Sequence, residues 1–153
     1  MARPKAEILV TQSLVDRLTN LEDWPTTRSA SLRLYREGIK RDVEWLLNSR
    51  KPNVPELEGY PLAANSVFGF GLADLTQVSN AGSDASNLLM SIAQTVRTHE
   101  PRIRDPRVFL VRAETLTRSI RFHLEGRLMF ENGEEEISFD TVLEMTSGEY
   151  EVK

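Results

Sequence analysis

The residues best suited to chemistry lie close together in the stretch THEPRIRDP, from Thr98 to Pro106. Glu100 is a carboxylate that precedes a proline, and Arg102 and Arg104 follow it. A carboxylate in this setting could act as a catalytic acid, or it could form an ion pair that serves structure or recognition. Each of these roles makes a different demand on the rest of the sequence.

Glycoside hydrolysis by Glu100 would require a second carboxylate and a raised pKa. Four aspartates could serve as that second carboxylate: Asp74, Asp84, Asp105 and Asp140. No spacing identifies one of them as the partner. The arginines that follow Glu100 lower the pKa of a nearby carboxylate, which is the wrong direction for a general acid. A lysozyme-like enzyme that uses Glu100 is therefore the alternative prediction, and not the first.

Other catalytic and metal-binding chemistries find few suitable residues. The chain has no cysteine and two histidines, His99 and His123, so neither a zinc site nor a disulfide framework is predicted. No serine lies in a G-x-S-x-G elbow. Gly69 and Gly71 form a G-x-G without the third glycine of a nucleotide loop, and they favour a turn that packs Val67, Phe68, Phe70 and Leu72 against the core. No cofactor is predicted.

Recognition is the other role open to this stretch, because arginines surround its two prolines. Arg97, Arg102, Arg104 and Arg107 lie near Pro101 and Pro106. A stiff corner that presents guanidinium groups can bind carboxylates on another chain. The structural interpretation is a helix terminus with a local salt bridge, worth about 0–1 kcal/mol if exposed. The residues alone leave both interpretations open.

The 153-residue composition predicts one globular domain with an uneven charge. Residues 91–130 hold eight arginines and four acids, whereas residues 131–153 hold eight acids and one lysine. This division indicates either solvated faces of a sheet or an interaction surface. The pI near 5.3 argues against a nucleic-acid partner. No apolar run approaches the roughly 20 residues that span a bilayer, and the N-terminus is a poor signal peptide, so we expect a cytoplasmic protein without membrane insertion.

The hydrophobic periodicity changes from helical to alternating along the chain. It predicts a short helix in TQSLVDRLTN, a helix from Ser31 to Asn48 capped by Ser29 or Ser31, and a helix from Ser83 to His99 that ends at the proline. Strands are predicted in RVFLVRAE, SIRFHLEGRLMF and EISFDTVLEM, with a tight turn at Asn132-Gly133 and a short last strand after Gly148.

The predicted class is α+β: N-terminal helices followed by a small antiparallel β meander, with a helix packed on the sheet. Residues 1–28 are predicted to form an N-terminal extension with a short helix. Residues 29–153 are predicted to form a single α+β domain.

Five motifs resemble the TssE family of type VI secretion baseplate components, in the family's order. They are SLVDRL, DVEWLLNSR, SVFGFGLADL, HEPRI and the final FDTVLEMTSGEYEV. The family is similar to the wedge protein of contractile-phage baseplates. The resemblance implies a non-enzymatic role at the base of a membrane-anchored secretion apparatus, with other wedge subunits and contractile sheath subunits as partners. It implies that Glu100, Pro101 and Arg102 anchor the subunit to its baseplate neighbours.

The alternating pattern from Ser119 to Met145 suggests how such a protein could bind the sheath. It predicts a hairpin with edges, and an edge strand offers unpaired backbone groups to which a sheath strand could add. The predicted protein-interaction residues are Glu100, Pro101, Arg102, Ile103, Arg104, Arg121, His123 and Arg127. A wedge subunit of a phage or of a related contractile injection particle is a further alternative with the same mechanism.

Overall fold

The computed structural model describes residues 8–19, 24–52, 59–73, 82–114, 119–131, 133–144 and 147–153. Its helices are α1 (Leu14–Thr19), α2 (Arg28–Asn48), α3 (Pro61–Ala64) and α4 (Gly82–His99), with a 3-10 turn at Val67–Gly69. The strands are β1 (Ile103–Glu114), β2 (Ser119–Phe130), β3 (Gly133–Glu144) and β4 (Glu149–Val152). They form one antiparallel sheet in the order β1-β2-β3-β4. The predicted α+β class is confirmed.

The core lies between the sheet and the two long helices, α2 and α4. The buried residues of α2 are spaced as one helical face, and those of β2 and β3 alternate along each strand, as the sequence predicts. They include Ile39, Val43, Leu47, Ile92, Val96, Phe122, Leu124, Leu128, Ile137, Phe139 and Leu143. Met145, which was predicted to continue the β3 pattern, lies outside the described residues.

Helix α2 begins three residues earlier than predicted. Thr27 has an extended backbone (φ −122°, ψ 154°), and its side chain accepts a hydrogen bond from Ala30 N, so Thr27 is the N-cap and not Ser29 or Ser31. Ser31 is instead buried inside the helix, where its hydroxyl oxygen accepts a hydrogen bond from Val10 N at 3.0 Å. The hydroxyl-rich entry to the helix offers several candidate caps, and only backbone geometry selects one.

Strand β1 also begins earlier than the predicted start at Arg107, because a bulge interrupts its alternation. The pairing with β2 slips between Arg104 and Arg107, where Asp105 has a positive φ of 51°. Gly126 lies beneath this bulge, and a Cβ at Gly126 would come within 2.5 Å of Ile103 Cγ2 and 3.1 Å of the Arg104 carbonyl oxygen. The bulge therefore depends on a residue in the neighbouring strand.

The apolar residues around the glycine turn, residues 67–72, are only partly buried. Val67 and Phe68 are exposed, contrary to the predicted packing of the glycine turn, whereas Leu72 is buried and Phe70 packs partly against the core. The turn is held by backbone hydrogen bonds on either side of Gly71, which has a φ of 101°: Phe70 N–H donates to Val67 O (3.2 Å), and Leu72 N–H donates to Ser49 O (2.9 Å). Turn geometry, rather than hydrophobicity, decides which of these side chains point inward.

Helix α1 turns its apolar residues away from the core. The exposed side chains are Leu14, Val15 and Leu18, and the residue that faces inward is Asp16. Asp16 accepts a 2.6 Å hydrogen bond from the Ser13 hydroxyl, whose oxygen accepts a bond from Asp16 N, so Ser13 caps the start of α1. The division of the chain at residue 28 stays a prediction.

Candidate protein-interaction site

The segment Glu100-Pro101-Arg102 forms a tight corner between α4 and β1. Glu100 continues the hydrogen bonding of α4 through its N–H to Val96 O (2.8 Å), and Ile103 N–H returns to Glu100 O (3.0 Å). Pro101, which has no N–H and cannot extend the helix, lies exposed at the tip. The Glu100 residue is only 4% exposed, and Ile103 is also buried.

Arg102 neutralises the buried Glu100 with a two-pronged ion pair. Its Nε lies 2.6 Å from Glu100 Oε1, and its Nη2 lies 2.5 Å from Oε2. The same Nη2 lies 2.7 Å from Asp42 Oδ2 in α2. The hydrogen bonds to Glu100 raise the pKa of Arg102 above its ordinary value, and the hydrogen bond to Asp42 adds to this effect. Burial acts in the opposite direction but is outweighed. The guanidinium is thus a clasp between α2, α4 and β1.

The ring of Tyr35 supports this clasp from α2. The Arg102 guanidinium carbon lies 6.0 Å from the centroid of the Tyr35 ring, within the range of a cation–π contact. The Tyr35 hydroxyl donates to Met129 O (3.0 Å), and Met129 N–H donates to Arg102 O (2.8 Å). The corner is therefore tied to the end of β2 as well.

A chain of ion pairs continues from Asp42 to α1. Arg41 Nη2 lies 2.9 Å from Asp42 Oδ1, and Arg41 Nη1 lies 2.7 Å from Asp16 Oδ1. Burial raises the pKa of Asp16, but hydrogen bonds from Arg41 and Ser13 outweigh it and leave that pKa below the ordinary value. The apolar residues of α1 are thus held outward by a charged contact on its inner side.

The geometry of Glu100 is unlike that of a general acid. Such an acid needs a protonated carboxyl that can reach a substrate. Both oxygens of Glu100 instead accept hydrogen bonds from Arg102, and the residue is buried. In the part of the chain that the structure describes, no group of three or more acidic or histidine side chains could hold a metal ion.

A groove of about 430 Å³ borders the corner, with the charged network on one side. Its apolar wall is formed by Val15 of α1, Trp45 of α2, Phe70 and His99. The rings of Trp45 and Phe70 meet edge-on with centroids 6.0 Å apart, and those of Phe70 and His99 at 5.5 Å. Trp45 is 69% exposed. The sequence analysis did not identify Trp45 as a site residue. Trp45 lies next to the apolar stripe of α2 and not within it, and this offset indicates that its side chain points away from the core.

The remaining predicted residues lie on the outer face of the sheet. His123 Nδ1 lies 2.8 Å from Asp140 Oδ1, and its Nε2 lies 3.3 Å from Glu125 Oε1. Arg127 pairs with Asp105 and more distantly with Glu134 (3.4 Å), and the hydrogen bond from Arg127 lowers the pKa of Asp105. The structure therefore divides the predicted set between two places, the corner and the outer face.

Three arginines near β1 differ from those of the corner. Arg104, Arg107 and Arg121 are exposed, and none of them makes a hydrogen bond or ion pair with another described residue. Arg104 lies directly across the ladder from Arg127, which places like charges opposite each other. Beside them, Phe109, Leu110 and Val111 are 48%, 45% and 61% exposed.

The edges of the sheet are not those of the predicted hairpin. Strand β2 lies between β1 and β3, so its backbone is paired on both sides. Strand β4 pairs with Thr141–Glu144, and Lys153 N–H donates to Asp140 O. Among the described strands, the edges without a neighbouring strand are therefore the outer side of β1, the first part of β3 (residues 133–139) and the short outer side of β4, where the backbone of Tyr150 is hydrogen-bonded to the side chain of Asn48.

The protein is thus an α+β domain with two helices on one face of an antiparallel meander, an internal glutamate–arginine ion pair and exposed arginines along β1. The chain belongs to the family of baseplate wedge protein gp25, which it matches over residues 33–133. That match includes the corner, β1 and β2. Among curated proteins, none matches the chain. As a family member it is a structural component of a baseplate.

The helices give no indication of a membrane span. Among the residues that the structure describes, none of the helices combines the length and the apolar character needed to cross a bilayer.

Proposed function

We propose that the protein is a non-enzymatic subunit of the baseplate wedge of a type VI secretion system. It anchors to other wedge subunits and helps to initiate polymerisation of the contractile sheath. The proposal places it in the cytoplasm, at the base of the membrane-anchored apparatus. The observation that carries it is the buried Glu100, bound through both carboxylate oxygens by Arg102 in a chain of the baseplate wedge family.

The corner supports anchoring through its shape rather than through free charge. Because Arg102 donates hydrogen bonds to Glu100 and Asp42, it holds the corner together and has few donors left for a partner. The exposed surface consists of Pro101 and the adjacent groove with Trp45. Exposed aromatic side chains beside a concave apolar surface are typical of protein-interaction sites. The predicted anchor at Glu100-Pro101-Arg102 thus becomes a structural base for the contacts of Trp45 and its neighbours.

Co-purification from the native cells tests this proposal. We expect the tagged wild-type protein to bring down baseplate and sheath subunits, identified by mass spectrometry. Trp45→Ala should lose wedge subunits while remaining folded, and the control Leu62→Ala, at a residue 89% exposed and away from the groove, should keep them. Wild-type protein that recovers no baseplate subunit would overturn the proposal. Trp45→Ala that binds as the wild type does would remove the groove from it.

The alternatives predict other results in the same cells. A lysozyme-like enzyme should cleave purified peptidoglycan by itself and lose that activity in Glu100→Gln. We expect no cleavage by either form. A phage or another contractile injection particle would be revealed by the identity of the co-purified subunits, since the chain would then recover tail proteins of that particle.

A further inference from the structure

Residues 59–73, the α3 segment, expose four large apolar side chains that the proposed function does not use. Leu62 and Val67 are 89% and 88% exposed, and Tyr60 and Phe68 are 68% and 66% exposed. None of the four lines the groove beside the corner, and none lies on the sheet. Soluble proteins seldom expose a contiguous apolar patch of more than a few hundred Å² unless the patch binds a partner.

The α3 segment is folded by its own hydrogen bonds. Helix α3 leads into the 3-10 turn through Ser66, whose hydroxyl donates to Ala63 O (2.6 Å) and whose side-chain oxygen accepts from Phe68 N (3.3 Å). Gly69 N–H donates to Ser66 O (2.9 Å), and a Cβ on Gly69 would collide with Ala64 O. The helix and the turn are therefore in direct contact and present their apolar side chains from one compact unit.

Hydrogen bonds also fix this unit to the ends of both long helices. Leu72 is buried, its N–H donates to Ser49 O (2.9 Å), and its carbonyl oxygen accepts from Lys51 N (3.0 Å). At the end of α4, His99 Nε2 donates to Gly69 O (2.9 Å), since a carbonyl oxygen can only accept. An apolar surface that is held in place before binding loses less conformational entropy when a partner covers it.

The charge around the α3 segment limits what can cover it. Residues 59–73 contain no charged side chain, and residues 52–96 contain four acids but no lysine or arginine. The acids are Glu56, Glu58, Asp74 and Asp84. Because the formal net charge of the chain is −4, this stretch accounts for all of it. A complementary surface is therefore apolar at its centre and basic around it.

We propose that the α3 segment is a docking surface for a partner protein that presents an apolar pocket with lysine or arginine residues at its rim. Side chains that project this far into solvent fit a concave surface. Tyr60 and Phe68 are the aromatic anchors, and each buries about 150–250 Å² when it is covered. The inference goes beyond the proposed function, because it adds a contact that neither the groove nor the sheet provides.

Two other occupants fit this surface less well. A second copy of the chain, docked segment against segment, would bring two acidic stretches together, and like charges across an interface oppose association. An anionic lipid surface attracts lysine and arginine, which residues 52–96 lack. The charge thus favours a basic protein surface over both.

Photo-crosslinking of the full chain in its native cells tests the proposal. One benzoyl-phenylalanine probe replaces Phe68, and a control probe replaces the exposed Arg33 on α2. Arg33 lies 16 positions before Ser49, and so about 24 Å along the helix from the attachment of the α3 segment. We expect a protein adduct from the probe at Phe68 that the probe at Arg33 does not give. The crosslinked segment of the partner should be apolar, with lysine or arginine beside it.

Removal of apolar side chains tests the chemistry of the contact. In the chain with the probe at Phe68, Leu62→Ser/Val67→Ser should reduce the adduct by about tenfold, because truncation of an interface anchor commonly weakens binding to that extent. The control Leu18→Ser/Val111→Ser makes the same two replacements at side chains 64% and 61% exposed elsewhere and should leave the adduct unchanged. Both variants should still recover wedge subunits through the groove, which shows that they are folded.

The other outcomes separate this inference from the proposed function. An adduct with lipid or with a second copy of this chain would overturn the class of partner. An acidic crosslinked segment, or an adduct that persists in Leu62→Ser/Val67→Ser, would overturn the chemistry of the contact. No protein adduct from Phe68, with wedge subunits still recovered, would overturn the inference and leave the proposed function intact. Wild-type chain that recovers no baseplate subunit but gives the expected adduct would overturn the proposed function alone.

Discussion

Arg102 and Arg104 are two residues apart in the sequence, yet their environments are opposites. Arg102 has a side chain 25% exposed and binds Glu100 and Asp42. The side chain of Arg104 is exposed, makes no hydrogen bond or ion pair with another described residue and lies opposite Arg127. The first arginine closes the corner between α4 and β1, whereas the second lies on an open edge. A cluster of arginines in a sequence is therefore not one feature, and only their partners distinguish structure from recognition.

The two arginines differ in how much free energy of unfolding is lost when each is removed. Removing one member of a buried ion pair leaves the other desolvated and uncompensated, which is strongly destabilising. Removing an exposed charge leaves little behind, because water already solvates it. The corner and the edge should therefore respond very differently to mutation.

Replacement of Arg102 tests this contrast with the largest expected effect. In Arg102→Met, Glu100 stays buried without a cation, and the free energy of unfolding should fall by about 3–5 kcal/mol. Urea denaturation at pH 7 measures the change. The matched control Arg104→Met should alter the free energy of unfolding by no more than about 0.5 kcal/mol. Equal losses in the two variants would show that the corner is not a structural clasp.

Gly126 links the two regions, since it lies beneath the bulge that separates the corner from the rest of β1. In Gly126→Ala the new Cβ would press on Ile103 and on the Arg104 carbonyl, and overpacking of this kind costs about 1–3 kcal/mol. Denaturation of Gly59→Ala provides the control, because a Cβ there has no atom within 4 Å. If Gly126→Ala is as stable as that control, the bulge does not need the glycine.

Replacement of Asp16 tests the charged contact that holds α1, through the pH dependence of stability. We expect it to have the smallest effect of the three replacements. Its folded pKa lies below the usual 3.8, so the ionised form stabilises the fold above that pH, and this contribution disappears as the pH falls through the folded value. Asp16→Asn should cost about 1 kcal/mol at pH 7, the scale of one hydrogen bond. The difference from the wild type should shrink as the pH falls below 3.8.

Denaturation of both forms across this pH range measures the Asp16 effect. Glu37→Gln is the control, because Glu37 is exposed and its contact with Arg33 is a long 3.9 Å. A stability gap between wild type and Asp16→Asn that persists unchanged at low pH would mean that the carboxylate charge does not hold α1.

Local periodicity accounts for most of what the sequence predicts correctly. The stripe that contains Ile39, Val43 and Leu47 predicts α2, and the alternation through Phe122 and Leu124 predicts β2, because each pattern reflects burial on one face. The proline after Glu100 correctly ends α4. Where a residue departs from the pattern, as at the bulge of Asp105, the boundary is missed by several positions.

The sequence predicted Glu100, Pro101 and Arg102 as members of the candidate site, but it predicted neither Asp42 nor Trp45. The stretch around Glu100 and Arg102 stands out by composition, but whether it binds itself or another chain depends on Asp42, which lies 60 positions earlier. Trp45 could not be assigned to the groove for the same reason, since Phe70 and His99 come from separate segments. Such contacts depend on how α2 packs against the end of α4, and short-range sequence patterns do not predict the packing of distant elements.

The sequence by itself determines the elements of this protein: the amphipathic stripes, the proline corner, the hairpin turn and the separation of basic from acidic residues. These are properties of neighbours along the chain, and burial on one face of a helix or strand repeats with a fixed period. Only the tertiary structure decides which charges are satisfied and which edges stay open. Ion pairs and strand order join residues that are distant in the chain, so Arg102 becomes a clasp and Arg104 part of an open surface.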